Sequence, residues 1–135
     1  MSGNKKITVF GDGGWIGAQL VTFLKEEHHT VLSAKGVRAE DKKSVTELID
    51  KTKPDVVLCC IGRTQGGPKH NTIDFLQDKL NVNLNDNLFA PLQLASVCRE
   101  LGLHMVYIGT GCIFEYNDMC ANNRFNTGGS GFQED

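Results

Sequence analysis

The strongest constraint in this chain is the run Ile7-Thr8-Val9-Phe10-Gly11-Asp12-Gly13-Gly14-Trp15-Ile16-Gly17. Residues suited to a buried strand lead directly into glycines at 11, 14 and 17, and an amphipathic segment follows at once. The pattern is a strand, a tight turn and a helix start. Small residues in such a turn let the backbone approach a pyrophosphate, and the helix N-terminus presents its partial positive charge to the anion. Gly-rich turns are common, and it is the flanking strand and helix that make this one a nucleotide-binding pattern. Gly11, Gly14, Trp15, Ile16 and Gly17 are the cofactor-binding residues it implies.

Composition bounds the rest. A length of 135 residues implies one domain with a real core, and 40% hydrophobic with 22% charged residues is ordinary for a globular protein. A net charge of -2 argues against a general nucleic-acid or anionic-membrane surface. No apolar run approaches the roughly 18 residues of a membrane span, and Met1 to Lys6 leads into a strand without a signal-peptide core. The five cysteines, at 59, 60, 98, 112 and 120, are odd in number and contain no Cys-x-x-Cys. Neither a disulfide framework nor a metal site is indicated, and a cytoplasmic location is expected.

Taken in order, apolar residues at 16, 20, 23 and 24 predict a helix from Ile16 to Glu27 with those residues buried. His28 and His29 fit polar residues at a helix end better than metal ligands. Thr30 to Ala34 reads as a second strand ending beside the glycine turn. No acidic residue follows it; the chain reads Ser33-Ala34-Lys35-Gly36-Val37-Arg38. Lys35 and Arg38 suit a 2′-phosphate, and so NADP, with solvated loop charge as the alternative. Ser44-Val45-Thr46-Glu47 reads as a capping box, with Val45, Leu48 and Ile49 as the apolar stripe and Pro54 closing the helix. Val56 to Ile61 is a continuous apolar run of the kind found in a central parallel strand. Cys59 and Cys60 are read as small core residues. Gly62 ends that strand where a cofactor would pass, which puts Cys60, Ile61 and Gly62 among the cofactor contacts.

Ile73 to Leu80 suggests a short helix. Leu80 to Leu101 gives a longer pattern, with Leu84, Leu88, Leu92 and Ala95 on one stripe and Leu94, Val97 and Leu101 widening it. Pro91 lies inside that pattern and cannot donate to the Asn87 carbonyl. Two readings stay open: a kink at Asn87 whose carbonyl or side-chain amide points toward the crevice holding Thr110, or a second helix opening near Pro91. His104 to Ile108 is the next strand, with Thr110 at its end. After Tyr116 the chain turns polar and Gly-rich and reads as loop. The expected architecture is α/β: a Rossmann-type doubly wound parallel sheet of about four strands with flanking helices, in residues 1–116, and a Gly/Asn-rich segment over 117–135.

The spacing Gly-x-x-Gly-x-x-Gly resembles that of the short-chain dehydrogenase/reductase superfamily. Phe10-Gly-Asp-Gly-Gly-Trp-Ile-Gly17, Asn87-Leu-Phe-Ala-Pro-Leu-Gln-Leu-Ala95 and Tyr107-Ile-Gly-Thr-Gly-Cys-Ile-Phe-Glu-Tyr116 narrow the likeness. They resemble the extended reductases acting on nucleotide sugars, in the dTDP-4-dehydrorhamnose reductase branch. Within it, the bifunctional 3,5-epimerase/4-reductases that make UDP-rhamnose from UDP-4-keto-6-deoxy-glucose are most similar. The glycine motif marks the superfamily only; the stretch from Thr110 to Tyr116 is more specific. The resemblance runs from about Lys5 to Asp135 and covers the N-terminal half of such an enzyme.

That resemblance implies roles. Thr110 takes the place of the Ser/Thr that positions the sugar keto oxygen, and Cys112 that of a cysteine moving protons at the carbons flanking the ketone. A thiol with a reference pKa of about 8.5 can be tuned to that work; a small core residue is the alternative for Cys112. NADPH is the implied cofactor and a nucleotide sugar the implied substrate. The family's Tyr-x-x-x-Lys pair is absent from the chain, so turnover by these residues alone is not expected, and the chain reads as part of a longer enzyme. A 4-reductase without epimerase activity and a non-catalytic NADP-binding regulatory subunit remain as alternatives. An uncovered sheet edge would favour a homo-oligomer.

Overall fold

The computed structural model describes residues 3–63, 66 and 73–109. Four parallel strands form one sheet in the order β2-β1-β3-β4: β1 Lys6–Phe10, β2 Thr30–Ser33, β3 Val56–Cys59 and β4 His104–Tyr107. The helices are α1 Trp15–Glu26, α2 Lys42–Thr52, α3 Leu80–Leu84 and α4 Ala90–Glu100, with a 3-10 turn at Ile73–Leu76 and a π turn at Asn85–Phe89. This is the Rossmann-like parallel sheet with flanking helices that the sequence predicts.

Strand alternation divides the core between two faces. Ile7, Val9 and Leu58 point to the α1 side, where Leu20, Val21 and Leu24 cover them. Phe10, Val57 and Cys59 point to the other side, against Val45 and Ile49 of α2 and Leu94, Val97 and Cys98 of α4. Thr8 is fully buried on that side, and its hydroxyl shares a 3.4 Å hydrogen bond with the Thr52 hydroxyl. The chain therefore leaves β1 over one face and returns over the other. The switch point lies between β1 and β3, the place where doubly wound sheets bind ligands.

Several local expectations shift. On α1 Gly17 is buried and Leu20, Val21 and Leu24 are half-buried against the sheet, so Leu20 and Leu24 of the predicted face pack inward while Ile16 and Phe23 are exposed. The helix starts one residue early, at Trp15, and Gly17 rather than Ile16 meets the glycine turn. Helix α2 begins at Lys42; its cap is Asp41, not Ser44, and Asp41 accepts from the Lys43 and Ser44 amides at 3.1 and 3.4 Å. A left-handed Lys53 ends it just before Pro54. Strand β3 stops at Cys59, three residues before Gly62.

The long helical pattern runs through Pro91 without a break, but not as one regular helix. The π turn precedes the proline, and the Ala90 amide donates to the Asn85 carbonyl, five residues back. Widening there relieves the crowding between a proline ring and the preceding turn. Pro91 then lies in the first turn of α4. The extra residue rotates the later face by about 100°. Of the predicted faces, Leu94 and Val97 are buried, while Leu88, Leu92 and Leu101 are exposed.

Candidate functional site

Because the strands are parallel, their following turns share one edge of the sheet. The Gly11–Gly17 turn after β1, the end of β2 at Ser33 with the following Ala34 to Arg38, and Cys60 to Arg63 after β3 share that edge. Gly11 has φ +84°, and a Cβ on it would stand 2.8 Å from the Cys60 carbonyl group. Glycine is required on both counts. The Cys60 amide donates to the Phe10 carbonyl at 2.8 Å, which locks the two turns side by side. A methyl on Gly17 would collide with the Gly11 carbonyl. The turn closes with the Gly14 amide donating to Gly11 at 3.1 Å.

Gly14 is the N-cap of α1, with extended backbone and no side-chain cap, and the first turn carries no acid. Gly13 and Gly14 are exposed, and a Cβ on Gly13 would meet nothing within 4 Å. The opening amides of α1, on Trp15 and Ile16, thus stand at a bare and accessible helix start. Trp15 is 81% exposed. Such a start suits an anion that can come close to the backbone.

Lys35 and Arg38 follow β2 and are both exposed. Arg38 is tied to Glu40, with Nε and Nη2 at 2.7 and 2.5 Å from Oε1. The Glu40 hydrogen bond and charge raise the guanidinium pKa above its ordinary value. Lys35 forms no ion pair among the described residues.

The loop after β3 is held from α3 and the π turn. The Asn87 side chain accepts from the Arg63 amide at 2.6 Å and donates to the Arg63 carbonyl at 2.9 Å, and it also donates to Asn83 Oδ1 at 2.8 Å. The Asn87 amide therefore clamps the loop at the sheet's ligand edge. It is the side-chain amide of the kink reading, here aimed at β3's loop; Thr110 and Cys112 lie outside the described residues. Arg63 also pairs with Asp86 through Nε. Sequence reading passed over Asp86, Arg63's partner, and over Asp12 and Ser33, which bond to each other. An acid inside a Gly-rich turn was the one available signal for Asp12.

Cys59 and Cys98 are buried and Cys60 half-buried. Burial pushes all three thiols up, Cys98 to about 11. They are protonated packing groups rather than nucleophiles at neutral pH. Among the described residues no cluster of His, Cys, Asp or Glu could hold a metal ion, and no helix is long and apolar enough to cross a membrane.

The profile of the RmlD substrate-binding domain matches residues 5–127. The chain belongs to the RmlD substrate-binding-domain family. A UDP-rhamnose synthase of Acanthamoeba polyphaga mimivirus, known as a crystal structure, is 41% identical; it superposes with a TM-score of 0.83 over 96% of this chain and 44% of its own. A trifunctional UDP-glucose 4,6-dehydratase/UDP-4-keto-6-deoxy-D-glucose 3,5-epimerase/UDP-4-keto-L-rhamnose-reductase of Arabidopsis thaliana is 36% identical over 113 residues, which are 84% of this chain and 16% of that protein. The fold is shared at 16% identity by the dTDP-4-dehydrorhamnose reductase of Bacillus anthracis, solved in complex with NADP, with a TM-score of 0.65 over 79% of this chain and 36% of that one. The RmlD-family chain spans less than half the length of each of these relatives.

Proposed function

We propose that this chain is the dinucleotide-binding part of a nucleotide-sugar 3,5-epimerase/4-reductase that makes UDP-rhamnose from UDP-4-keto-6-deoxy-glucose, and that its dinucleotide is NADP(H). The observation that carries the reading is the meeting of the Gly11–Gly17 turn, with its uncapped helix start, and the Cys60–Gly62 loop across the switch point. The sugar chemistry is supported by the likeness to the mimiviral UDP-rhamnose synthase and the plant epimerase/reductases.

The residues fit the cofactor. Gly11 and Gly17 leave no room for a Cβ, so the turn is tight, while Gly13 and Gly14 leave the helix start open to a pyrophosphate. Lys35 and Arg38 supply positive charge for a 2′-phosphate. When bound, the reduced nicotinamide supplies the hydride that reduces the C4 ketone. Thr110 would hold the keto oxygen in place. Cys112 would carry the proton at the carbons flanking the ketone, a role for which its thiolate must be accessible near neutral pH. Both roles follow from the family resemblance. A nucleotide sugar is the partner this reading needs, and the free thiols of Cys59, Cys60 and Cys98 favour a reducing cytoplasm.

The fluorescence of Trp15, the single tryptophan, reports on the site directly. Titration with NADPH is expected to change it saturably, with NADH binding more weakly and Arg38→Ala narrowing the difference through loss of NADPH affinity. No saturable response to either dinucleotide overturns the reading. In the intact enzyme, Cys112→Ser is expected to abolish epimerisation and spare reduction; epimerisation that survives the substitution removes Cys112 from the mechanism.

A further inference from the structure

Asp12 sits inside the glycine turn but does not cap the helix that follows. Its Oδ2 accepts from the Ser33 hydroxyl at 2.5 Å, and the Ser33 Oγ in turn accepts from the Lys35 amide at 3.1 Å. Ser33 is the last residue of β2 and stands in register with Val9 of β1. The pair therefore bridges the end of β2 and the turn after β1. In a doubly wound sheet the adenosine ribose lies at this place, and the charge present there decides between a free 2′-hydroxyl and a 2′-phosphate.

In sequence, the stretch from Ser33 to Arg38 holds two cations and no acid. In space a carboxylate is present all the same, delivered by the β1 turn and fixed by a serine on β2. The nearby cations are not a matched counterweight. Arg38 is already gripped by Glu40, which a phosphate would have to displace, and Lys35 is exposed on a flexible stem.

We propose that Asp12, anchored by Ser33, is a cofactor-specificity residue: its carboxylate receives the ribose hydroxyls and opposes a 2′-phosphate. The preference for NADP supplied by Lys35 and Arg38 is consequently narrow, and NAD is a working ligand of the same site. The inference rests on the dinucleotide reading above and adds the residue that restrains it. Glu40 works in the same direction by occupying the guanidinium.

The test is the ratio of dissociation constants for NADPH and NADH, read from Trp15 fluorescence in the unmodified protein and in Asp12→Asn and Ser33→Ala, each first checked for folding by thermal unfolding. The unmodified protein is expected to favour NADPH by less than about tenfold. Asp12→Asn should move the ratio roughly tenfold further toward NADPH, the size of one partly screened charge interaction, chiefly by tightening NADPH. Ser33→Ala should move it less, in the same direction, by releasing the carboxylate; it carries the test if Asp12→Asn does not fold. A folded variant that binds both dinucleotides with an unchanged ratio overturns the inference and leaves the dinucleotide site standing. A protein that binds neither dinucleotide overturns both.

Discussion

Helices α1 and α2 begin with the same backbone and opposite chemistry. Gly14 and Asp41 both take extended N-cap conformations, with φ, ψ of −78°, 166° and −93°, 97°. At α2 the cap is an acid that takes the Lys43 and Ser44 amides and also receives the Ser44 hydroxyl at 2.5 Å. At α1 the cap has no side chain, and the only acid within reach in sequence, Asp12, is drawn away to Ser33. A helix that only has to pack closes its own N-terminus. Helix α1, at the switch point, leaves its first amides without a side-chain cap, the state in which a helix start can receive an anion.

The comparison breaks most sharply at Gly17. Helix propensity alone says that Gly17→Ala stabilises α1 by roughly 1 kcal/mol. The collision with the Gly11 carbonyl involves backbone on both sides, so neither partner can swing away. Overpacking of that kind outweighs propensity, and a net loss of about 3 kcal/mol is expected in chemical denaturation. An unchanged midpoint would mean that the turn is not packed as described. Next in size is Asp41→Ala, which removes the α2 cap and should lower Tm by roughly 2–6 °C; a folded variant with weakened dinucleotide affinity would contradict its purely structural role.

Gly14→Ser gives α1 the kind of cap that α2 has. Its backbone suits an L-residue, and the nearest atom to a new Cβ is the Gly11 carbonyl oxygen at 3.3 Å. Stability should change by only a few tenths of a kcal/mol, while NADPH affinity falls because the hydroxyl now occupies an amide. Unaltered affinity would show that these amides do not hold the ligand. The smallest effect is on acid stability. The Ser44 hydroxyl, ahead of the backbone amides, holds the Asp41 pKa below its ordinary 3.8. A lowered folded pKa means that the contribution is present above that ordinary value and fades as pH falls through the folded one. The stability difference between the unmodified protein and Asp41→Asn should therefore shrink below about pH 4; a difference that grows with acid would reverse the sign of the argument.

What could be read in the sequence was what local pattern dictates. The strand, the glycine turn and the helix start came from adjacent residues, and the apolar run from Val56 gave the central strand. On α1 Leu20 and Leu24 of the predicted face pack inward, but Ile16 and Phe23 do not, because the turn geometry seats Gly17 inward instead. On α4 the widening residues Leu94 and Val97 proved buried, but the stripe through Leu88 and Leu92 did not, because a π turn changes the phase after it and only Pro91 marks that in the sequence. Asp41 was hidden by Ser44, whose spacing to Glu47 mimics a capping box; in the fold the Ser44 hydroxyl donates to Asp41 instead. The Asp12–Ser33 bond and the Asn87 clamp on Arg63 join residues more than twenty positions apart. Such pairs depend on which strands become neighbours, so no local window contains them.

The central claim is that the open start of α1, and not the closed start of α2, receives a dinucleotide. Amide chemical shifts followed by NMR during titration with NADPH test it residue by residue. Saturable shifts are expected at Gly13, Gly14, Trp15 and Ile16 and at Cys60, Ile61 and Gly62, with Lys43 and Ser44 unmoved. Saturable shifts confined to α2, or none at residues 13–16, would contradict it.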